Sequence, residues 1–214
     1  MPQITLYYSP DACSIIPHIL LNEIGASFEA ISIEMQGIDQ SFAESFRQIN
    51  PKSRVPVIAL DNQVITEVPA VSTIISSLAP DAHLMGQTPL ETARVYEWMN
   101  YVSGTVHTGA ISHYFRPARW TTSTDGAHVD MIKERALENL LNCCSFIEDK
   151  LEGVYAVGDA FTAADAFLYF AYRWGKAAGI GMEVYPGFSA LARSVEGRAS
   201  VQTVLKSEQI HSIF

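Results

Sequence analysis

Cys13 stands in the run Ser9-Pro10-Asp11-Ala12-Cys13-Ser14, between an apolar segment, Ile4–Tyr8, and a helical pattern opening with Ile15-Ile16-Pro17-His18-Ile19-Leu20. A thiol between a strand end and a helix start has chemistry open to it. The unpaired N–H groups and the dipole of a helix N-terminus favour an anion, and a cysteine placed there gives up its proton more readily. Tyr7, Tyr8, Ser9 and Ser14 add hydroxyl donors to the same stretch. The residues equally suit a small apolar cysteine packed under a turn, and the segment alone leaves both readings open.

Other groups could serve a ligand. Val55-Pro56 sits where a loop enters a strand, a place that tolerates the missing proline N–H. An ordinary trans bond suffices there. A cis bond would turn the Val55 N–H and C=O outward, to pair with a peptide-like ligand as a short added strand. Glu67 precedes Val68-Pro69 at a helix start. It either favours the helix dipole or binds a ligand ammonium while the adjoining N–H groups take a carboxylate. Asn100, Gly104, His107, Ile111 and Tyr114 recur at spacings of four and three, which puts them on one face of a helix. That face is a wet cleft, a subunit contact or a solvated surface; His107 is suited to proton handling near neutral pH. Arg116, Arg119 and Trp120 could edge a pocket or form a solvated basic corner.

Several chemistries are disfavoured. Cys13 is followed by Ser14-Ile15-Ile16, so no CxxC pair exists and a dithiol oxidoreductase is disfavoured, while monothiol chemistry stays open. Cys143 and Cys144 are adjacent in a helical pattern, where side chains diverge, so burial is expected rather than a disulfide. The six histidines lack zinc-ligand spacing and no metal is expected. There is no glycine-rich phosphate loop. A formal charge of −9, from 14 Lys+Arg against 23 Asp+Glu, argues against nucleic acid. No apolar run reaches about 18 residues, so no membrane span is expected. The start, Met1-Pro2-Gln3, does not open a signal segment, and three cysteines without framework spacing suit a reducing compartment; a cytoplasmic protein is expected.

The elements that must position these residues are legible as patterns. With 214 residues, 48% of them hydrophobic, the chain can build one or two cored domains. Strands are expected at 4–8, 28–34, 55–60 and 64–66, the last two joined by a tight turn at Asp61-Asn62-Gln63. Helices are expected at 14–23, stopped by Gly25, at 40–48, and from Pro69 to the stop at Pro80. The order β-α-β-α-β-β-α implies one mixed sheet covered by helices. Residues 81–89 read as a linker. Beyond them the signals are helical: one long helix at 90–115, another at 129–151, and a third opened by a capping box at Thr162-Ala163-Ala164-Asp165. Short helices are expected at 188–196 and 201–206. The fold class is thus an α/β domain, 1–80, followed by an all-α domain, 90–214.

Taken together, the segments Tyr8-Ser9-Pro10-Asp11-Ala12-Cys13-Ser14-Ile15-Ile16-Pro17-His18, Ile49-Asn50-Pro51-Lys52-Ser53-Arg54-Val55-Pro56, Thr66-Glu67-Val68-Pro69-Ala70, Trp98-Met99-Asn100-Tyr101, His107 and Gly158-Asp159-Ala160-Phe161-Thr162-Ala163-Ala164-Asp165 run in the order of a known family. The chain resembles the cytosolic glutathione S-transferases, most closely the bacterial beta-class-like members. The resemblance implies a thioredoxin-like βαβαββα domain, a helical C-terminal domain and a homodimer. It implies glutathione as co-substrate and transfer of its thiol to small electrophiles. Thiol transfer or disulfide reduction through Cys13, and ligand binding without turnover, are the alternatives it leaves. By resemblance, Cys13, Ser14, Tyr8 and His107 serve catalysis. Asn50, Arg54, Val55, Pro56, Glu67, Val68 and Asn100 serve glutathione, Val55 pairing with its cysteinyl backbone and Glu67 holding its γ-glutamyl end. Tyr114, Phe115 and Trp120 would wall the electrophile pocket. Departures from the family pattern stand at Val68, where many relatives carry Ser or Gly, at Gln36-Gly37-Ile38-Asp39-Gln40, which lacks a lysine for the glycyl end, and at Thr108, where a lysine is common.

Overall fold

A computed structural model describes residues 2–36, 41–61 and 63–214. Its packing divides into two units, Met1–Leu84 with Glu196–Phe214, and Met85–Val195.

In the first unit, β1 (Ile4–Tyr8) alternates buried and half-buried residues, as a strand with one face on the core must. Helix α1 (Ile15–Glu23) follows it, and β2 (Glu29–Ser32) returns parallel to β1. Two short strands, β3 (Met35–Gln36) and β4 (Ser41–Phe42), form a separate antiparallel pair. Helix α2 (Glu44–Arg47) then leads to the antiparallel strands β5 (Val57–Leu60) and β6 (Gln63–Thr66), and α3 (Val68–Leu78) closes the series. The sheet order is β2-β1-β5-β6, with β5 antiparallel to β1. This is the thioredoxin-like sheet with one correction. The helix expected over 40–48 is a single turn, because Ser41 and Phe42 are extended and pair with Gln36 and Met35. Phe42 and Phe46 instead build a small apolar cluster with Val57, flanked by Tyr7, Ile33, Ile49 and Val55. The expected turn residue Asn62 and the lysine-free stretch at 37–40 lie outside the described residues.

The second unit is helical. Helix α4 (Pro89–Asn100) starts with a capping box in which Thr88 and Glu91 satisfy each other's backbone N–H groups. The chain continues without a break into a π-helical stretch, Tyr101–Ile111, and the short α5 (Ser112–Phe115). Helix α6 (Gly126–Lys150) follows, capped by Asp125, and then α7 (Ala163–Ala177), buried along nearly its whole length. The expectation of one regular helix over 90–115 is therefore corrected. Ser103, Thr105, Val106 and Thr108 are poor α-helix formers beside Gly104 and Gly109, and Thr108 Oγ1 donates to the Ser103 carbonyl five residues back at 2.9 Å.

Helices α8 (Pro186–Glu196) and α9 (Ala199–Glu208) complete the chain. The domain expected at 90–214 does not keep its tail, since α9 packs on α1 in the first unit. The cause is visible in α1, whose residues Ile15 to Leu21 are all buried. A helix apolar on every side needs cover beyond one sheet and one neighbour, and α9 supplies it.

Candidate active site

The strand register brings three segments to one end of the first unit's sheet. Tyr7 on β1 pairs with Val57 on β5, and Val57 pairs with Thr66 on β6. The chain leaving β1 toward Cys13, the Val55-Pro56 entry to β5 and the Glu67-Val68 exit from β6 therefore lie together. The Val55–Pro56 peptide is cis. Cys13 is buried at 9% exposure, and its Sγ donates to the Val55 carbonyl at 3.3 Å. The thiol thus meets the backbone group that the sequence assigns to a peptide-like ligand.

The turn before α1 is built by its hydroxyls and amides. Ser14 Oγ accepts from Ser9 N–H at 3.0 Å and donates to Ser9 O at 3.1 Å, and Ala12 N–H donates to Ser9 O. The fully buried Ser14 hydroxyl therefore closes the turn. The Ile15 and Ile16 amides are occupied by the carbonyls of Ala12 and Cys13, so the helix start offers fewer N–H groups than an open first turn. Tyr8 points to the buried side of β1 and packs on His18, ring centroids 5.1 Å apart. That places its ring in the core.

Asn50 shapes the neighbouring loop. Its buried side chain donates from Nδ2 to Arg54 O at 2.7 Å and accepts from Lys52 N–H at 3.1 Å. It holds the loop that carries Val55, while Arg54 turns its guanidinium back to the Ser53 carbonyl. Glu67 has φ 74 and ψ 124, a conformation that non-glycine residues rarely adopt and that often marks a functional position. Its carboxylate pairs with Lys52 Nζ, which also donates to Thr66 Oγ1 at 2.6 Å. The sequence assigns Lys52 no role; the signal was a cation on the loop before Val55 with an acid at the next helix start. Val68 is buried in the first turn of α3.

The remaining candidates belong to the second unit. His107 packs edge-on against Phe170 at 5.1 Å, and Phe170, Trp174, Phe115 and Tyr114 continue as a chain of ring contacts. Tyr114 donates its hydroxyl to Ala178 O at 3.2 Å. Trp120 stands apart, stacked on His113 at 3.8 Å in a cleft of about 460 Å³ that Tyr114 and Phe115 do not line. The expected shared face of Asn100, Gly104, His107, Ile111 and Tyr114 dissolves in the π-helical stretch, whose turn is wider than the assumed 3.6 residues. Asn100 is exposed with its amide on Tyr96 O, whereas Ile111 is buried. Cys143 and Cys144 are buried free thiols. Burial pushes both up, Cys144 to about 12, and so keeps them protonated.

Comparison with known proteins decides the family. The glutathione S-transferase N-terminal domain model matches residues 2–75, and the C-terminal domain model matches residues 107–198. A glutathione transferase structure from Methylococcus capsulatus is 31% identical, with 96% of this chain and 98% of that one covered and a TM-score of 0.81. The chain belongs to the glutathione S-transferase family. Glutathione S-transferase GstA of Escherichia coli O157:H7 is 27% identical over 95% of this chain and 98% of its own length. A glutathione transferase homolog from Sulfitobacter, solved with bound glutathione, superposes with a TM-score of 0.89 at 27% identity over 99% of this chain and all of that one. Among the described residues, no helix is long and apolar enough to cross a membrane.

Proposed function

We propose that the protein binds glutathione along Val55 and Glu67 and transfers its thiol to small electrophiles, as a beta-class-like homodimer of the cytoplasm. The observation that carries this reading is the meeting of Cys13 Sγ with the Val55 carbonyl at the sheet end where Glu67 opens α3. The tripeptide's cysteinyl N–H would displace the Cys13 thiol from that carbonyl and set its own sulfur beside the turn. Glu67 would take the γ-glutamyl ammonium, and Lys52, released from Glu67, the adjoining carboxylate. That cation offsets the hydroxyl missing at Val68, whose N–H remains. Asn50 would act by holding the loop, and Arg54 would turn toward the ligand by leaving the Ser53 carbonyl. Within the second unit, the Tyr114 and Phe115 rings would offer apolar contact to electrophiles, and Trp120 lines a cleft of its own.

Attack needs a thiolate. An ordinary thiol near pKa 8.5 is ionised to only a few per cent at pH 7, and lowering it by two units takes about 2.7 kcal/mol of preferential anion stabilisation. With the Ile15 and Ile16 amides already occupied, the Ser14 N–H and the Cys13 thiol itself are the donors assigned to the bound sulfur. Cys13→Ala then keeps much of the conjugating activity toward a chlorinated dinitrobenzene and loses part of the donor set. A folded variant with no turnover would overturn conjugation in this form.

Thiol transfer is the second reading, because Cys13 occupies the ligand's own carbonyl. Here the Cys13 thiolate attacks glutathione disulfide, the S–S bond breaks, one glutathione leaves as thiolate and a Cys13–glutathione disulfide remains. Intact mass after glutathione disulfide treatment should show one glutathione adduct, absent from Cys13→Ala. An unmodified wild type excludes this mode. Retention on immobilised glutathione without turnover of any electrophile would instead mark a binding protein on the same fold.

A further inference from the structure

Glu208 is a buried carboxylate that no step above uses. It ends α9 with 4% exposure, close to 200 residues along the chain from its partners. Its Oε2 accepts the Asp11 N–H at 3.0 Å, and its Oε1 lies 2.8 Å from His18 Nδ1. His18 is itself buried, against Tyr8 and Phe28, with Nε2 3.5 Å from Ser207 Oγ. Burying a carboxylate costs several kcal/mol unless hydrogen bonds offset it, so these contacts are a requirement of the site rather than a surface accident.

The placement of the two contacts matters. Asp11 lies in the turn ahead of Cys13, and His18 lies one helical turn beyond it. Asp11 has φ 55, a left-handed conformation that costs a side-chain-bearing residue about 1 kcal/mol or more. Its N–H is held by Glu208, and the next residues close the turn onto Ser9. One carboxylate thus holds both flanks of the segment that carries the thiol. We propose that Glu208 is a positioning residue for Cys13: the last turn of the last helix fixes the left-handed Asp11 and so sets the turn that presents the thiol. The consequence for catalysis rests on the glutathione reading above, but the test does not need glutathione.

The test uses full-length Glu208→Ala and Glu208→Met, with Glu23→Ala as control. Glu23 joins α1 to α9 through Arg198 and Ser200 and touches nothing in the turn. Amide exchange of the peptide covering 9–14 and iodoacetamide alkylation of Cys13 at pH 7, resolved by peptide mass, are read where circular dichroism shows the variants folded. Glu208→Ala should speed exchange of the turn and, because the buried thiol is reached as that turn opens, also speed alkylation, each about tenfold, as loss of one hydrogen bond implies. Glu23→Ala should lower thermal stability and leave both readouts within about twofold. Asp11→Gly, which adopts the left-handed φ unaided, should restore alkylation in the Glu208→Ala background to that of Asp11→Gly alone. If Glu208→Ala does not fold, Glu208→Met, which keeps most of the volume and removes both acceptors, carries the same test. Wild-type exchange and alkylation in a folded Glu208 variant would overturn the proposal, as would an equal effect of Glu23→Ala. Failure of the wild type to bind glutathione would overturn the functional reading and leave this result standing.

Discussion

Lys52 is the residue on which the candidate glutathione site departs most from what its sequence showed. Its ammonium sits on Glu67 and Thr66, and both charged side chains are at least half exposed. Such a pair contributes only about 0–1 kcal/mol in water, so a ligand that brings its own ammonium and carboxylate can separate it at little cost. Lys52→Gln should raise KM for glutathione about fivefold with kcat unchanged, the signature of lost ground-state binding. The difference should fade in high salt, because exposed charges are screened. Steady-state kinetics at two ionic strengths decide it. An effect on kcat alone would place Lys52 outside the γ-glutamyl end. Cys13, Val55 and Glu67 were legible because each stands at a junction of elements, where an unusual residue type draws notice. The direction of a small side chain was not legible. Ser14, one of several hydroxyls in that stretch, spends its own on Ser9. Lys52 was invisible because its partners lie 14 and 15 residues away across a hairpin.

At the scale of elements, the capping box of α7 was readable in Thr162 and Asp165, and it does more than cap. Asp165 Oδ2 accepts from Thr162 N–H at 2.7 Å and from its hydroxyl at 3.1 Å, while Oδ1 takes the Ala156 N–H at 2.7 Å and ties down the preceding loop. Burial pushes the Asp165 carboxyl up to about 6 against the pull of these donors. Asp165→Ala should cost about 2–4 kcal/mol, since it leaves buried N–H groups unpaired. The sign of its pH dependence follows from linkage. A carboxyl that binds its proton more tightly in the native state than in the unfolded chain loses stabilising power as pH rises. The cost of Asp165→Ala should therefore be largest near pH 4, shrink toward pH 6 and stay level above it, as measured by urea unfolding across that range. A cost that grows from pH 4 to pH 6 would show that the hydrogen bonds, not burial, dominate. The π-helical stretch was not legible in the same way. Apolar spacing reports that a helix exists, and Val102 and Val106 keep their buried side, but the shift from i−4 to i−5 partners depends on small local preferences that no spacing rule carries.

The largest misreading concerned the whole molecule. The apolar run in α1 announced a helix buried on all sides, yet the sequence could not say that its last cover would come from α9, which enters the first unit from the far end of the chain. The tie at the other end of α1 is Glu23, which accepts from Ser200 Oγ at 2.6 Å and from Arg198 Nε at 3.1 Å. Burial alone would push the Glu23 carboxyl up, but the Arg198 and Ser200 donors outweigh it and hold it below its usual 4.5. A lowered native pKa stabilises the fold above the unfolded value, and that contribution is lost as pH falls through the native one. Glu23→Gln should therefore cost about 2 kcal/mol at pH 7, and its difference from the wild type should close as the pH drops below 4.5. The damage should also be local. All three tryptophans, Trp98, Trp120 and Trp174, lie in the second unit, so their emission reports that unit's integrity. Amides of the last turn of α1 and the first turn of α9 should exchange faster in Glu23→Gln at pH 7 while tryptophan emission and exchange in α7 remain those of the wild type. If α7 opens together with α1, the two units share one cooperative transition, and the returning tail stabilises the whole chain rather than the first unit.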